Sequence, residues 1–498
     1  MVIMHREFLR SALRLLLLVL LFSASAVYEA GHVSALSTSE VWVHLRTGTW
    51  ILQNHSIPRT GLFSQYPNLP WNDSSWAYEV LLAAAYKLLG LRALPILLMG
   101  FKTALAVVTF LLARAGRATF WSAVLLSAVA QYVIPGLQPL PYAFSILFFA
   151  GELQLLVRSR QTGSTKNLFW LPVLFVFWAN LHIQFVAGLL LLGLFVIAVL
   201  LEKMLRALRV NWLSERVLPL DLRQVGIVSV LSLLGTFANP YTVHLLPAAF
   251  KVLYSPVGFE HFTQMSAMSF RRPQEFALML LVMMAFLALG RRRSVELFEL
   301  MTLVAGTLIA FRIERDGWLA VLPAIAVLSG GLQFARPESE SPRKGRLSWE
   351  RPWAAALTVT ALVVASLWVP GSNALMNKTS NVFPVKACDY ILANRLPQPL
   401  FNAYSWGGFL TWYMPQYPVV IDSRIELYGD DILGSYFNVV SGKELLESDP
   451  MVARAGTLLL ERQSAMAKAL TNLPALRARY RLAYSDDLAS VFVPQPTP

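Results

Sequence analysis

The stretch AGLLLLGLFVIAVLL (Ala187–Leu201) holds no charged side chain and is followed at once by Glu202, Lys203, Arg206 and Arg209. An apolar block of this length closed by cations is what a helix crossing a bilayer requires. Other blocks follow the same form, among them Leu15–Phe22 and Phe276–Leu289, the latter closed by Arg291, Arg292 and Arg293. Over 498 residues the chain is 56% hydrophobic and 14% charged, against roughly 25% charged in soluble domains. The fold class expected is an α-helical polytopic membrane protein with about ten or eleven spans, followed by a soluble C-terminal α/β domain.

The net charge of +13 does not point to nucleic acid, because the cations sit in short loops between apolar blocks, where they set orientation. The single cysteine, Cys388, excludes an intramolecular disulfide and a cysteine-based zinc site. No divalent metal or other cofactor is indicated.

Arg6, Arg10 and Arg14 place the start of the chain in the cytoplasm. Ala24-Ser25-Ala26 also resembles a signal-peptide cleavage site, and either reading exports the next segment. Spans are expected near 93–113, 119–137, 140–157, 168–181, 184–202, 225–238, 276–290, 295–311, 317–334 and 353–370. Cytoplasmic turns then hold Arg114 and Arg117; Arg158, Arg160 and Lys166; Lys203, Arg206, Arg209, Arg216 and Arg223; Arg291–Arg293; and Arg336, Arg343, Lys344, Arg346 and Arg351. This divides the chain into a membrane domain, 1–371, with a large first exported loop at 30–92, and an extracytoplasmic α/β domain, 372–498. In that last domain helices are expected at 386–396, 430–441 and 464–473. Strands are expected at 399–403, 419–421 and 457–461, with a hairpin over 480–493. Residues 76–90 read as an amphipathic or weakly apolar helix at the interface.

Several cations fall on the outer side, where orientation does not need them: His44, Arg46, Arg59, Arg271, Arg272, Arg312 and Arg315. Binding an anionic group is a reason to keep them there. Glu40, His44, Arg46, Arg59, Asp73 and Trp76 cluster in the first loop, and Asn180, His182, Asn239, Tyr241, Arg315 and Asp316 at later outer turns. Glu40 is a candidate general base, against the plainer reading of a solvated loop carboxylate. Glu40, His44 and Arg46 fall within two helical turns and are read as sharing one face. Arg315 with Asp316 reads either as substrate-binding or as a local ion pair at a helix start. Asp422 and Arg424 read either as an acceptor site or as a structural pair. Lys102, inside a span, either snorkels or serves a function.

The first loop, Glu40-Val-Trp-Val-His44-Leu-Arg46-Thr-Gly48-Thr-Trp50, then Ile57-Pro58-Arg59-Thr60 and Trp71 to Trp76, resembles the first exported loop of the GT-C superfamily of bacterial membrane glycosyltransferases. The resemblance continues through Trp178-Ala179-Asn180-Leu181-His182, Asn239-Pro240-Tyr241 and Arg312 to Trp318. It extends to Phe401-Asn402-Ala-Tyr404-Ser-Trp406-Gly407-Gly408 and Val420-Ile421-Asp422-Ser423-Arg424-Ile-Glu426-Leu-Tyr428-Gly429. It implies an enzyme of the bacterial cytoplasmic membrane that transfers a sugar from a polyprenyl-phosphate donor to an acceptor at the outer face, inverting the anomeric centre. Carried over by position, Glu40 is the catalytic base, with Asp73 as the alternative acid. His44, Arg46, Arg59, Asn180, His182, Arg315 and Asp316 become donor or substrate contacts, and Trp406, Asp422, Arg424 and Tyr428 lie on the acceptor side. The pattern usually carries aspartate where Glu40 stands. A non-catalytic protein that binds lipid-linked glycan or scaffolds envelope assembly is the alternative.

Overall fold

The structure is a computed structural model that describes residues 2–495 apart from 135, 210–212, 215–216, 254, 263–264, 293, 295, 332–349, 445 and 447–448. The cations expected at Arg216, Arg293, Arg336, Arg343, Lys344 and Arg346 lie outside the described residues, as does the end of the span expected at 317–334. The chain forms two compact units, one of residues 1–33, 95–242 and 263–369, the other of 34–94, 243–262 and 370–498.

The first unit is helical. It contains α1 (Val2–His32), the body of α4 (Ala93–Ala115), α5 (Phe120–Val133), α6 (Tyr142–Thr162), α7 (Leu171–Leu181), α8 (Phe185–Ala207) and α9 (Leu222–Gly235). It ends with α12 (Pro273–Gly290), α13 (Leu297–Arg312), α14 (Trp318–Gly331) and α15 (Glu350–Trp368). Each apolar block expected to span is a helix here. Four helical stretches among the described residues are long and apolar enough to cross a membrane: Phe8–His32, Trp76–Ala115, Phe185–Ala207 and Pro273–Gly290. Phe120–Val133, Lys166–Leu181 and Leu222–Gly235 are shorter apolar helices. Large apolar side chains such as Ile197, Leu280, Leu287, Val363 and Leu367 point outward, as they do where the solvent is lipid.

Small residues set the closest helix contacts. A Cβ on Gly306 of α13 would fall 2.0 Å from the Leu319 carbonyl oxygen of α14. Lys102 does not snorkel: its Nζ meets Glu29 Oε2 of α1 at 2.8 Å. The buried Glu29 carboxylate is thus held in a pair, as a low-dielectric interior demands.

The second unit is α/β. Its helices include α2 (Glu40–Asn54) and α3 (Trp76–Leu89) from the first loop, α10 (Leu245–Leu253), α11 (Pro256–His261), α16 (Ser372–Thr379), α17 (Val385–Ala393), α18 (Gly407–Tyr413), α19 (Ile425–Ser441), α20 (Pro450–Ala453), α21 (Ala465–Asn472) and α22 (Pro474–Arg479). Its sheet has the order β1 (Leu400–Asn402), β2 (Thr457–Glu461), β4 (Ala489–Pro494) and β3 (Tyr480–Ser485). β1 and β2 pair in parallel, while β4 pairs antiparallel to both β2 and β3. Phe401, Ile421, Leu433, Leu458, Leu470 and Phe492 form its core, and Trp71 of the first loop is part of the same cluster.

The strand expected at 419–421 is absent. Val419 makes only isolated bridges, to Ser64 and Leu400. The neighbouring ladder positions are taken by a side chain: Asn402 Oδ1 accepts from Val420 N at 2.9 Å, and Asn402 Nδ2 donates to the Ile421 carbonyl at 2.9 Å. A side-chain amide that satisfies both backbone groups removes the need for a partner strand.

Candidate active site

α2 starts at the residue that matters most. Glu40 lies in its first turn, where the helix dipole favours a carboxylate. The preceding Ser39 does not cap the helix; its Oγ accepts from Gly408 N at 3.0 Å. Gly408 has no room for a side chain, because a Cβ would lie 2.2 Å from the Ser39 carbonyl oxygen. Gly407 is equally constrained, with the Ile421 carbonyl oxygen 2.1 Å from a built Cβ. The Trp406-Gly407-Gly408 motif therefore presses α18 against the start of α2 on one side and the backbone before Asp422 on the other. Trp406 itself is buried. Gly408→Ala is expected to cost about 1–3 kcal/mol by overpacking. Because it pushes on the residue next to Glu40, activity should fall by more than the lost folded fraction, which thermal unfolding read alongside a transfer assay would separate.

α2 and α3 touch at Gly48, where a Cβ would come within 1.9 Å of the Glu79 carbonyl oxygen. That approach sets Glu79 beside His44. His44 Nδ1 meets Glu79 Oε1 at 2.8 Å, and its Nε2 lies 3.8 Å from Glu40 Oε1. Glu40 is 39% exposed and Glu79 only 1%, so the imidazole stands between an open carboxylate and a sealed one. Burial works against charge on His44, and the carboxylates of Glu40 and Glu79 outweigh it, pushing the imidazole up to about 10. His44 is an imidazolium at neutral pH.

Asp73 is buried behind this pair. Its Oδ1 accepts from Ser75 N at 3.1 Å. Burial, then the charge of Glu79 and a hydrogen bond shared with Glu79, holds the Asp73 carboxyl well above the usual range. Glu40, His44, Glu79 and Asp73 form one chain of ionisable groups.

A second network lies in the same unit. Asp422, fully buried, accepts from Arg424 N at 3.0 Å, Arg424 Nε at 2.9 Å, Arg424 Nη2 at 2.6 Å and Tyr428 Oη at 2.9 Å. The Arg424 guanidinium lies 4.8 Å from the centre of the Trp71 ring. The Trp71 indole N–H donates to Glu426 Oε1 at 3.2 Å. Burial raises the Glu426 carboxyl, while its own backbone N–H, Trp71, Arg424 and His44 pull the other way. Asp422 and Arg424 face each other across a turn, with Arg424 Nη2 2.6 Å from Asp422 Oδ2.

The remaining first-loop cations separate from this group. Arg46, two residues past His44, lies on another side of α2, with its guanidinium 4.8 Å from the Phe63 ring centre. The shared face expected for all three residues holds for Glu40 and His44 alone, since a two-residue step turns about 200°. Burial lowers the Arg46 guanidinium, whose Nε is buried without a hydrogen bond. Arg59 is exposed, and its carbonyl accepts from Trp71 N at 2.9 Å.

The other unit holds the later-loop candidates. Asn180 Nδ2 donates to the Val176 and Ala238 carbonyls, each at 2.8 Å, tying the end of α7 to the turn after α9. His182 Nδ1 and Ser145 Oγ are 2.8 Å apart, and the Trp178 indole donates to the same hydroxyl at 2.8 Å. Asp316 accepts from Gln184 Nε2 at 2.7 Å and lies 3.7 Å from Arg315 Nε. Arg272 is already paired, with Glu275 at 2.7 Å and with Glu314.

Sequence reading missed Glu79, Glu426 and Gln184. Glu79 had a signal: it is the sole acid in the apolar run Trp76–Leu89, and a lone carboxylate there needs a partner. Among the described residues no cluster of three or more His, Cys, Asp or Glu side chains could hold a metal ion.

No protein-family profile matches this chain, and no curated protein matches it. Solved structures do. The apo oligosaccharyltransferase of Archaeoglobus fulgidus is 12% identical with a TM-score of 0.53, over 94% of this chain and 72% of that one. The same enzyme, AglB, with an inhibitory peptide and a dolichol-phosphate is 11% identical with a TM-score of 0.50, over 93% and 72%. ArnT from Cupriavidus metallidurans bound to undecaprenyl phosphate is 14% identical with a TM-score of 0.40, over 96% and 99%. The chain thus shares the polytopic fold of the archaeal oligosaccharyltransferase.

Proposed function

We propose that this chain is a membrane glycosyltransferase that moves a sugar from a polyprenyl-phosphate-linked donor to an acceptor at the extracytoplasmic face. The observation that carries the reading is the Glu40–His44–Glu79 chain at the start of α2: one open carboxylate, held by an imidazolium that a sealed carboxylate anchors. In the proposed step the acceptor hydroxyl gives its proton to Glu40 while its oxygen bonds to the anomeric carbon. The bond from that carbon to the donor phosphate breaks, and the electron pair leaves with polyprenyl phosphate. A phosphate leaving group needs nearby positive charge more than a strong acid. Arg46 and Arg59 are assigned to it, since orientation gains nothing from them. His44 and Glu79 act as positioning residues, fixing the Glu40 carboxylate.

Orientation in a bacterial cytoplasmic membrane, with the chain's start inside and residues 372–498 outside, is supported by the alternation of cations between apolar blocks. The acceptor is assigned to the side of Trp406, Asp422, Arg424 and Tyr428.

Asp73 is a poor rival for the base, because it is 2% exposed where Glu40 is 39% exposed, so an acceptor hydroxyl reaches Glu40 and not Asp73. Asp73→Asn keeps the side-chain volume and retains the acceptor for Ser75 N. It is expected to leave transfer within about tenfold of wild type, where loss of a general base costs about 10²–10⁴.

The reading is tested by offering a panel of polyprenyl-phosphate sugars to membranes with and without the chain. One donor should lose its sugar only when the chain is present. Binding of lipid-linked glycan with no donor consumed would support the non-catalytic alternative instead.

A further inference from the structure

A polar pocket lies in the helical unit at the end opposite His182 and Gln184. The C-terminal turns of α6 and α8 and the start of α9 meet there around a cavity of about 370 Å³. Its floor is Arg160, 2% exposed. Arg160 Nη2 donates to both Glu202 oxygens at 2.6 and 2.8 Å, and its Nε donates to Glu296 Oε1 at 2.8 Å. Glu202 Oε1 also accepts from Leu297 N at 3.3 Å. The Glu202 carboxylate is therefore committed to the floor.

The wall is built too. Arg206 Nη2 donates to the Ser214 and Val217 carbonyls, each at 3.1 Å, and Leu218 N donates to the Arg160 carbonyl at 3.1 Å. Asp221 Oδ1 accepts from Arg223 N at 2.9 Å and so caps α9. Both carboxylates that line the pocket thus have their work inside it. Among the described residues, the exposed cations Lys203 and Arg223 on its rim have no ion-pair partner.

Cations at a cytoplasmic turn need no ligand to explain them. These differ in lining a concavity with a buried guanidinium at its base. The rest of the lining is apolar, with Leu218 and Pro219 exposed and Leu220 and Leu222 half-buried. A soluble anion has no use for that rim, whereas a lipid meets it with its acyl chains.

We propose that this pocket binds the phosphate headgroup of an anionic lipid, in the leaflet at the end of α8 remote from Gln184, with Lys203 and Arg223 as its charge contacts. The chemistry recognised is a phosphate anion, and the apolar mouth assigns it to a lipid rather than to free phosphate. This site stands apart from the proposed transfer reaction and is tested without it.

The test uses the full chain in nanodiscs of mixed phosphatidylglycerol and phosphatidylcholine, released into mild detergent and weighed by native mass spectrometry. Wild type should retain phosphatidylglycerol in preference to phosphatidylcholine. Lys203→Gln with Arg223→Gln should weaken retention about tenfold to thirtyfold, from the contribution of two cations at the headgroup level. Both residues are exposed, so the variant should elute as wild type does. Arg158→Gln with Lys166→Gln, cations at the same end outside the pocket, should leave retention unchanged. The proposal is overturned if wild type shows no preference between the two lipids, or if both double variants lose retention equally. It is also overturned if inorganic phosphate stabilises the chain against heat as well as phosphatidylglycerol does.

Discussion

Glu40→Gln should lower the transfer rate by about 10²–10⁴, the range a positioned general base supplies. The amide fills the same volume and leaves Gly408 packed against Ser39, so the chain should insert, fold and elute as wild type does. The loss should appear in kcat rather than KM, because the carboxylate acts on the proton that moves in the transition state. His44→Gln should be milder. It removes the link between Glu40 and Glu79 but leaves the base in place. Assay of both variants in nanodiscs, with matched amounts of folded chain, checks the order. Equal activity of Glu40→Gln and wild type would remove Glu40 from the mechanism and return attention to the binding alternative.

Arg424→Met should destabilise the α/β unit by about 3–5 kcal/mol, the cost of leaving a buried charge without its partner. Asp422 would keep Tyr428 Oη and one backbone N–H, and lose the donors that neutralise it. The double variant Asp422→Asn, Arg424→Met should recover much of that loss, since removing both charges is far less costly than removing one. Protease resistance of residues 370–498 and thermal unfolding of the purified chain both report the effect. If Arg424→Met instead stays fully folded and raises KM for acceptor, the pair belongs to the acceptor site and not to the frame.

The membrane class was legible because the apolar blocks and cations of this chain are contiguous in sequence. Ala187–Leu201 and its closing Lys203 and Arg206 need no tertiary information to be read. The short α/β elements were legible for a related reason: strand and hairpin patterns at 457–461 and 480–493 are local. The element that failed, 419–421, failed because Asn402 satisfies its backbone from another segment, and no sequence pattern announces such a substitution. The site was legible in part. Glu40 and His44 lie one turn apart on α2, so their meeting is a local fact. Glu79 depends on how α2 and α3 cross at Gly48, and Trp71 with Glu426 on a contact between residues far apart in the chain. Arg46 was misplaced for a purely geometric reason, since a two-residue step on a helix reverses the face.

The central claim is that a lipid-linked sugar reacts directly with an acceptor whose proton goes to Glu40. A single-turnover experiment tests it most directly, with purified chain in nanodiscs, a stoichiometric amount of labelled polyprenyl-phosphate sugar, and NMR of the product. The account predicts that the label leaves the lipid with inverted anomeric configuration while an equal amount of polyprenyl phosphate appears. Retained configuration, or label that stays on the lipid in the presence of acceptor, would contradict it.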